Sequence, residues 1–240
     1  MQLNLSEKIF SFFHRFIEKK YHLKKLSINL KDIANYKYPT IFDVGGNEGE
    51  SIDFFLNLFN KAKIYSFEPE TKSYQKLLKK YGKNKAINLY KFAFGSKKEE
   101  LKLKINVKSS TSTLSKINKK SKYYHLKSLI LNRDRNNPFL GEEKVKVKTI
   151  DNFLYEKKIK AIDILKIDTE GFEFNVIKGA KKTLKKTKII IIEFQLSDAY
   201  LNYNPKKIHN FLINNNFKLI ASLKFPFMLY EDRIYINKKY

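Results

Sequence analysis

The sequence predicts an α/β fold, a doubly wound and mostly parallel sheet with helices on both faces. Three observations carry that expectation. From residue 41 onward, short β-branched apolar runs alternate with amphipathic stretches, the pattern of repeated strand–helix units. The first of these runs enters a glycine-rich turn, "GGNEG" at 45–49, which opens into a helical stretch. The last two strand-like runs, 217–223 and 232–237, are joined by a short turn around Pro226, which suits an antiparallel pair at the sheet edge.

Taken in order, residues 5–24 read as a helix: Ile9, Phe12, Phe13, Phe16 and Ile17 share one stripe, and Ser6 can cap it. Residues 1–38 thus form an N-terminal helical extension. Flanking Lys and Arg would let it lie on a membrane surface, although covering one edge of the core is the plainer role. Strands are expected at 41–44, 63–67 and 87–92, separated by helices at 49–60 and 71–81. "LKLKINV" (101–107) and "KVKVKTI" (144–150) each alternate with period two. The polar, basic segment between them, 108–141, exceeds an ordinary connection and reads as a functional lid or a partly helical insertion. A strand at 162–168 leads to a helix at 172–186, and a strand at 188–194 to a helix near 205–215. With no internal repeat and no separating linker, residues 39–240 form one domain that carries the insertion.

Composition narrows the function classes. The chain has 240 residues and no cysteine, which excludes a disulfide scaffold, a thiolate nucleophile and a cysteine–zinc site. Its longest strongly apolar run, near 189–194, falls far short of the ~20 residues of a membrane span, and the N-terminus lacks the pattern of a signal peptide. A cytoplasmic protein is expected, with peripheral contact to the inner membrane as the variant the first helix would allow. The formal charge is +25, yet only Arg15, Arg133, Arg135 and Arg233 are arginines. Readers of phosphate use arginine forks, so the lysine excess is read first as compositional drift and second as attraction to anionic partners.

The glycine turn decides the ligand. A P-loop needs Lys and then Ser/Thr where this chain has Glu50 after Gly49, and that reading fails. A dinucleotide fingerprint starting at Gly45 meets Asn47 and Glu50 at its later glycine positions, and a pyrophosphate would face Asp43 and Glu48. S-adenosylmethionine carries no phosphate and presents an ammonium and a sulfonium beside a carboxylate. Acids at the strand end favour it, glycines let the backbone approach, and the helix start near Gly49 can offer N–H groups to its carboxylate. Glu68 ends the next strand, where an acid accepts hydrogen bonds from ribose hydroxyls.

With these residues in hand, the chain resembles the FkbM-type S-adenosylmethionine-dependent methyltransferases. The likeness rests on "FDVGGNEG" (42–49), "FEP" (67–69), "KFAFG" (91–95), "VKTID" (147–151), "DILKIDTEGFEFNVIKGA" (163–180) and "IIIIEFQ" (189–195). The resemblance implies a class I methyltransferase fold, Rossmann-like, with a seven-stranded sheet and an antiparallel last strand. It implies O-methylation of sugars or other small hydroxylated metabolites, as in surface-polysaccharide or natural-product biosynthesis. Carried over by position, Asp43, Gly45, Asn47 and Gly49 would frame the methionine end of the cofactor, Glu68 would hold the ribose, and Ala93 would line the adenine slot, with Asn84 a weaker choice. Gly46 stands where the family has a small residue. Glu48 replaces a residue that is commonly hydrophobic, and so is expected to make the pocket more acidic.

Methyl transfer is an in-line displacement at an activated carbon, so the protein must align the acceptor, exclude water and remove a proton. The ends of the fourth and fifth strands, "KIDTEG" and "IIEFQ", lie beside the methyl group in such a sheet. Asp168 is the leading base or acceptor organiser, with Glu170 and Glu193 as partners. The plainer alternatives are a Lys166–Asp168 ion pair on one strand face and Glu170 as a cap for the following helix. The same three carboxylates would suit Mg²⁺, but a metal-free base is the preferred reading. His125, Arg133 and Arg135 in the insertion are secondary candidates to contact an acceptor, including one linked to a nucleotide or lipid carrier. Two rivals remain. A nucleic-acid methyltransferase is disfavoured because "DTEG" stands where base-amino enzymes carry an Asn/Asp-Pro-Pro-aromatic turn. A non-catalytic binding module is disfavoured by the intact turn.

Overall fold

The computed structural model describes residues 23–33, 36–125, 139–225 and 230–240. The helix expected at 5–24, the turn at Pro226, and His14, His22, Arg133 and Arg135 lie outside the described residues.

The elements run α1 (Leu23–Ile33), β1 (Thr40–Val44), α2 (Glu50–Leu58), β2 (Lys63–Phe67), α3 (Thr71–Tyr81), β3 (Ile87–Tyr90), β4 (Ala93–Phe94), β5 (Glu99–Asn106), β6 (Phe139–Lys148), α4 (Ile150–Lys157), β7 (Ile162–Ile167), α5 (Glu173–Lys178), α6 (Lys181–Leu184), β8 (Thr187–Gln195), α7 (Pro205–Asn214), β9 (Phe217–Lys224) and β10 (Tyr230–Asn237). Seven strands form one sheet in the order β3-β2-β1-β7-β8-β10-β9, parallel from β3 through β8, with β10 antiparallel to both β8 and β9. The chain reverses direction across the sheet between β3 and β7, so the C-terminal strand ends of β1 and β7 flank a crevice suited to a ligand. A second sheet, β4-β6-β5, carries the period-two runs.

Why these strands form is plain from their sequence. Ile189, Ile190, Ile191 and Ile192 are all fully buried, alternately on the two faces, and each contributes roughly 2–3 kcal/mol by leaving water. One face packs Phe42, Leu165, Ile190 and Ile192 against Phe153 of α4, Val176 and Ile177 of α5 and Leu212 of α7. The other packs Ile41, Ile164, Ile189 and Ile191 against Leu30 of α1, Phe55 of α2 and Leu77 of α3. Helix α1 therefore closes one side of the main core rather than standing apart from it.

Three expectations need correction. The helix expected at 172–186 is two short helices. Asp151 accepts hydrogen bonds from Lys182 N (3.0 Å) and Thr183 N (2.7 Å), which gives α6 its own N-terminus, and Gly179 passes so near Gly95 that an added Cβ would lie 2.0 Å from its carbonyl oxygen. Helix α4 was hidden in the strand reading of 144–150: Thr149 caps it by accepting from Asn152 N. Strand β6 begins at Phe139 rather than 144, so it takes in the last residues of the segment 108–141.

Candidate active site

The turn after β1 sets the geometry. Gly45 and Gly49 take φ of 92° and 95°, and Asn47 takes 42°, a left-handed run that only glycine and Asn accept cheaply. Gly45 also has no room for a side chain: an added Cβ would sit 1.8 Å from the carbonyl oxygen of Asp168. The turn and the end of β7 are thereby pressed backbone to backbone.

Asp43 is fully buried beneath this turn. Its two oxygens accept from Ser51 Oγ (2.7 Å) and Ser66 Oγ (2.9 Å). Ser66 faces Asp43 across the β1–β2 ladder, and Gly46 leaves space for its hydroxyl, which an alanine Cβ would approach to 2.2 Å. Glu68 lies beside them: one carboxylate oxygen accepts from Asn47 N and the other from Glu70 N, both at 2.8 Å. Burial pushes the Glu68 carboxyl up to about 7, with the two backbone bonds pulling the other way. Glu48 does not enter the pocket, contrary to expectation. It pairs with Lys76 at the surface, because the turn points position 48 away from the crevice. Ala93 is buried in β4, where it pairs with Val147. Asn84 accepts from Ala86 N in the turn before β3 and belongs to that turn.

At the end of β7, Lys166 Nζ bonds Asp168 Oδ2 at 2.9 Å. Burial disfavours the Lys166 ammonium, but Asp168, Asp43 and Asp232 more than offset this and hold its pKa above the usual value. Desolvation pushes the Asp168 carboxyl up, Lys166 opposes it, and Glu170 and Asp232 add to the rise. Glu170 takes a left-handed φ of 49° and is largely buried, its carboxylate accepting from Tyr200 Oη at 2.5 Å. It is not the helix cap. The N-cap position is Phe172, and Glu173, the first residue of α5, turns back to the loop: its Oε1 accepts from Thr169 N (3.0 Å) and Gly171 N (3.1 Å), and burial pushes its carboxyl up to about 7. Glu193 accepts from Gln195 Nε2, and Gln195 Nε2 also reaches Glu170 at 3.5 Å. Glu170 and Glu193 are thus linked through Gln195 at the ends of β7 and β8, with Asp168 close enough to Glu170 for their charges to interact.

The segment after β5 closes over these groups. Ser109 Oγ donates to Asn47 Oδ1 (2.8 Å), Ser112 Oγ to Glu70 (3.3 Å), and Thr113 Oγ1 to the Glu170 carbonyl (2.6 Å). One strap therefore touches the turn after β1, the loop after β2 and the loop after β7. His125 bonds the carbonyl of Lys119 within its own loop. Ser51, Ser66, Gln195 and Tyr200 had no signal in the sequence; Ser66 becomes legible only once the β1–β2 register is known. Among the described residues, no group of three or more His, Asp or Glu could hold a metal ion, and no helix is long and apolar enough to cross a membrane.

The chemistry of the donor set suits S-adenosylmethionine. Carboxylates from Asp43, Glu68 and Asp168 surround the turn, and Lys166, the cation at their base, is tied to Asp168. A pyrophosphate would meet negative charge there.

Comparison with known proteins gives the same reading. The model of the methyltransferase FkbM domain matches residues 43–219. The 2-O-methyltransferase NoeI of Sinorhizobium fredii (strain NBRC 101917 / NGR234) is 25% identical over 209 residues, which cover 84% of this chain and 80% of that protein. Among solved structures, the methyltransferase FkbM from Methylobacillus flagellatus superposes with a TM-score of 0.55 at 15% identity, over 85% of this chain; the match spans only 45% of that chain's length. M. capricolum TrmK, solved with S-adenosyl-homocysteine, superposes with a TM-score of 0.50 at 15% identity, over 91% of this chain and 68% of that one. The sheet order is that of the class I methyltransferases, and the chain belongs to the FkbM family of S-adenosylmethionine-dependent methyltransferases.

Proposed function

We propose that the protein transfers a methyl group to a hydroxyl of a saccharide or another small polyhydroxylated metabolite, as an O-methyltransferase of surface-polysaccharide or natural-product biosynthesis in the cytoplasm. The observation that carries this reading is the grouping of three carboxylates at the ends of β7 and β8, directly beside the glycine turn: Glu170 and Glu193 are linked through Gln195, and Asp168 is close enough to Glu170 for their charges to interact. The similarity to NoeI, a 2-O-methyltransferase, over most of both chains supports it.

When bound, the cofactor supplies a methyl carbon already activated by its sulfonium. The chain's own residues do the rest. Asp43, Gly45, Asn47 and Gly49 frame the methionine end, with Asp43 acting by charge from beneath the turn. Glu68 accepts from the ribose hydroxyls through lone pairs left by its backbone bonds, and Ala93 lines the adenine slot. Asp168 accepts the proton of the acceptor hydroxyl, and Glu170 and Glu193 orient that hydroxyl. The strap at 109–113 keeps water from the crevice.

The test is direct. The purified protein should carry S-adenosylmethionine or its demethylated product, detectable by mass spectrometry of the denatured supernatant. It should convert the donor to S-adenosylhomocysteine in the presence of methyl glycosides. A bound nucleoside diphosphate, or methylation of RNA in place of glycosides, would overturn the reading.

A further inference from the structure

Side chains of a helix lean toward its N-terminus, so Glu173, the first residue of α5, lies back over the loop that precedes it. Its Oε1 gathers three donors from that loop: Thr169 N and Thr169 Oγ1, both at 3.0 Å, and Gly171 N at 3.1 Å. The two N–H groups stand at either end of the Thr169–Glu170 pair. One oxygen therefore pins the backbone before and after Glu170.

What is pinned is a costly shape. Glu170 and Gly171 take consecutive left-handed φ values of 49° and 94°, a region that glutamate does not enter readily. From the other side, Thr113 Oγ1 donates to the Glu170 carbonyl (2.6 Å) and Tyr200 Oη to its carboxylate (2.5 Å). Glu173 itself sits there at a cost. It is 0% exposed, and its Oε2 is buried without a hydrogen-bond partner. A side chain that only filled this space would be apolar, like Val176 and Ile177 of the same helix. The loop it holds accounts for the carboxyl.

We infer that Glu173 is a positioning residue for methyl transfer: it locks the Thr169–Gly171 loop so that the Glu170 carboxylate meets the acceptor hydroxyl. The inference rests on the O-methyltransferase reading above, in which Glu170 orients that hydroxyl. The cofactor side is anchored separately, since Asp168 N donates to the Val44 carbonyl (2.9 Å) and Gly45 packs on the Asp168 carbonyl. Loss of the lock should lower turnover and spare cofactor affinity.

Two variants divide reach from charge. Glu173→Gln keeps the length and the Oε1 acceptor; burial pushes the native carboxyl up to about 7, so an uncharged amide is a near substitute around neutral pH. Glu173→Asp keeps an acid in the first turn, which suits the helix, but is one methylene too short for the loop. The full chain is assayed with S-adenosylmethionine and methyl glucoside for kcat and KM, by calorimetry with S-adenosylhomocysteine, and by NMR for exchange of the Gly171 amide. Glu173→Asp should lower kcat at least tenfold and speed Gly171 exchange at least tenfold, with KM and S-adenosylhomocysteine affinity changed less than threefold. Glu173→Gln should stay within threefold of the native protein in every measure.

A smaller loss of kcat in Glu173→Asp, a larger one in Glu173→Gln, or a parallel loss of S-adenosylhomocysteine affinity would overturn the inference. Should Glu173→Asp not fold, Glu173→Gln decides alone by the same limit. If the native protein does not methylate methyl glucoside, the saccharide reading fails, and the lock is then judged by Gly171 exchange in the same two variants.

Discussion

Lys166 Nζ stands 2.9 Å from Asp168 Oδ2, two residues apart on one face of β7, so the acid at the mouth of the crevice is backed by the cation behind it. An ion pair and a catalytic role are often set against each other; here desolvation pushes the Asp168 carboxyl up and the Lys166 ammonium opposes that rise. Asp168→Asn should retain cofactor affinity within about threefold and lower turnover by roughly 10²-fold or more. Lys166→Met removes the cation, so the Asp168 carboxyl rises further and the acid limb of the pH–rate profile moves to higher pH. Stopped-time assays between pH 5 and 9 read both.

Asp43 has a different task. Asp43→Ala should abolish cofactor binding by calorimetry and also strand the half-buried Ser51 and the buried Ser66 hydroxyls, at about 1–3 kcal/mol of stability in urea. Unchanged affinity in that variant would remove the cationic-ligand argument.

Gly45→Ala meets two obstacles, the positive φ and the Asp168 carbonyl 1.8 Å from the new Cβ. The loss should exceed about 2 kcal/mol and take both cofactor binding and turnover with it. Gly46→Ala is a useful contrast. Its new Cβ meets side chains rather than backbone, the Ser66 hydroxyl at 2.2 Å and Asp43 Oδ2 at 3.3 Å, so the cost should be the lost Ser66–Asp43 bond, about 1–2 kcal/mol.

Glu68 and Glu173 are both raised to about 7 by burial. The folded state then binds more protons than the unfolded state between pH 4.5 and 7, so stability falls as pH rises through that window. Each group contributes on the order of 2–3 kcal/mol to the fall. Glu173→Gln keeps the Oε1 acceptor for Thr169 and Gly171 but removes the charge, and it should flatten the slope of unfolding free energy between pH 5 and 8.

The strap is tested at Thr113. Its hydroxyl donates to the Glu170 carbonyl and accepts from Ser115 N, so Thr113→Val cuts two bonds while keeping the shape. Faster hydrogen exchange over 109–115 and a raised KM are expected, with cofactor affinity nearly unchanged.

The sequence made the sheet legible because its strands are buried on both faces and read as unbroken β-branched runs, as at 189–192. Helix α3 matched its expected span, 71–81, since its apolar positions keep one period throughout. Helix α4 did not show, because "KVKVKTI" alternates up to its N-cap and masks the change of period. The split between α5 and α6 depends on Asp151, thirty residues earlier in the chain, and no local pattern carries that. At the site, Asp43, Glu68, Asp168, Glu170 and Glu193 were readable from their places at strand ends. Asp232 was not, since only the pairing of β8 with β10 brings it beside Glu193, and neither was Tyr200, which reaches Glu170 from the loop after β8. Glu48 misled because a turn's residues alternate in direction, and sequence alone does not give the phase.

The position of β10 has a consequence for biosynthesis. The strand lies between β8 and β9, so the isoleucine-rich margin of β8 has no neighbour until residues 230–237 have left the ribosome. Until then a nascent chain exposes an open edge, apolar over 189–192, of the kind that recruits other strands. Chaperone occupancy during translation should therefore persist until β10 has emerged, and polypeptides released before Tyr230 should accumulate as aggregates.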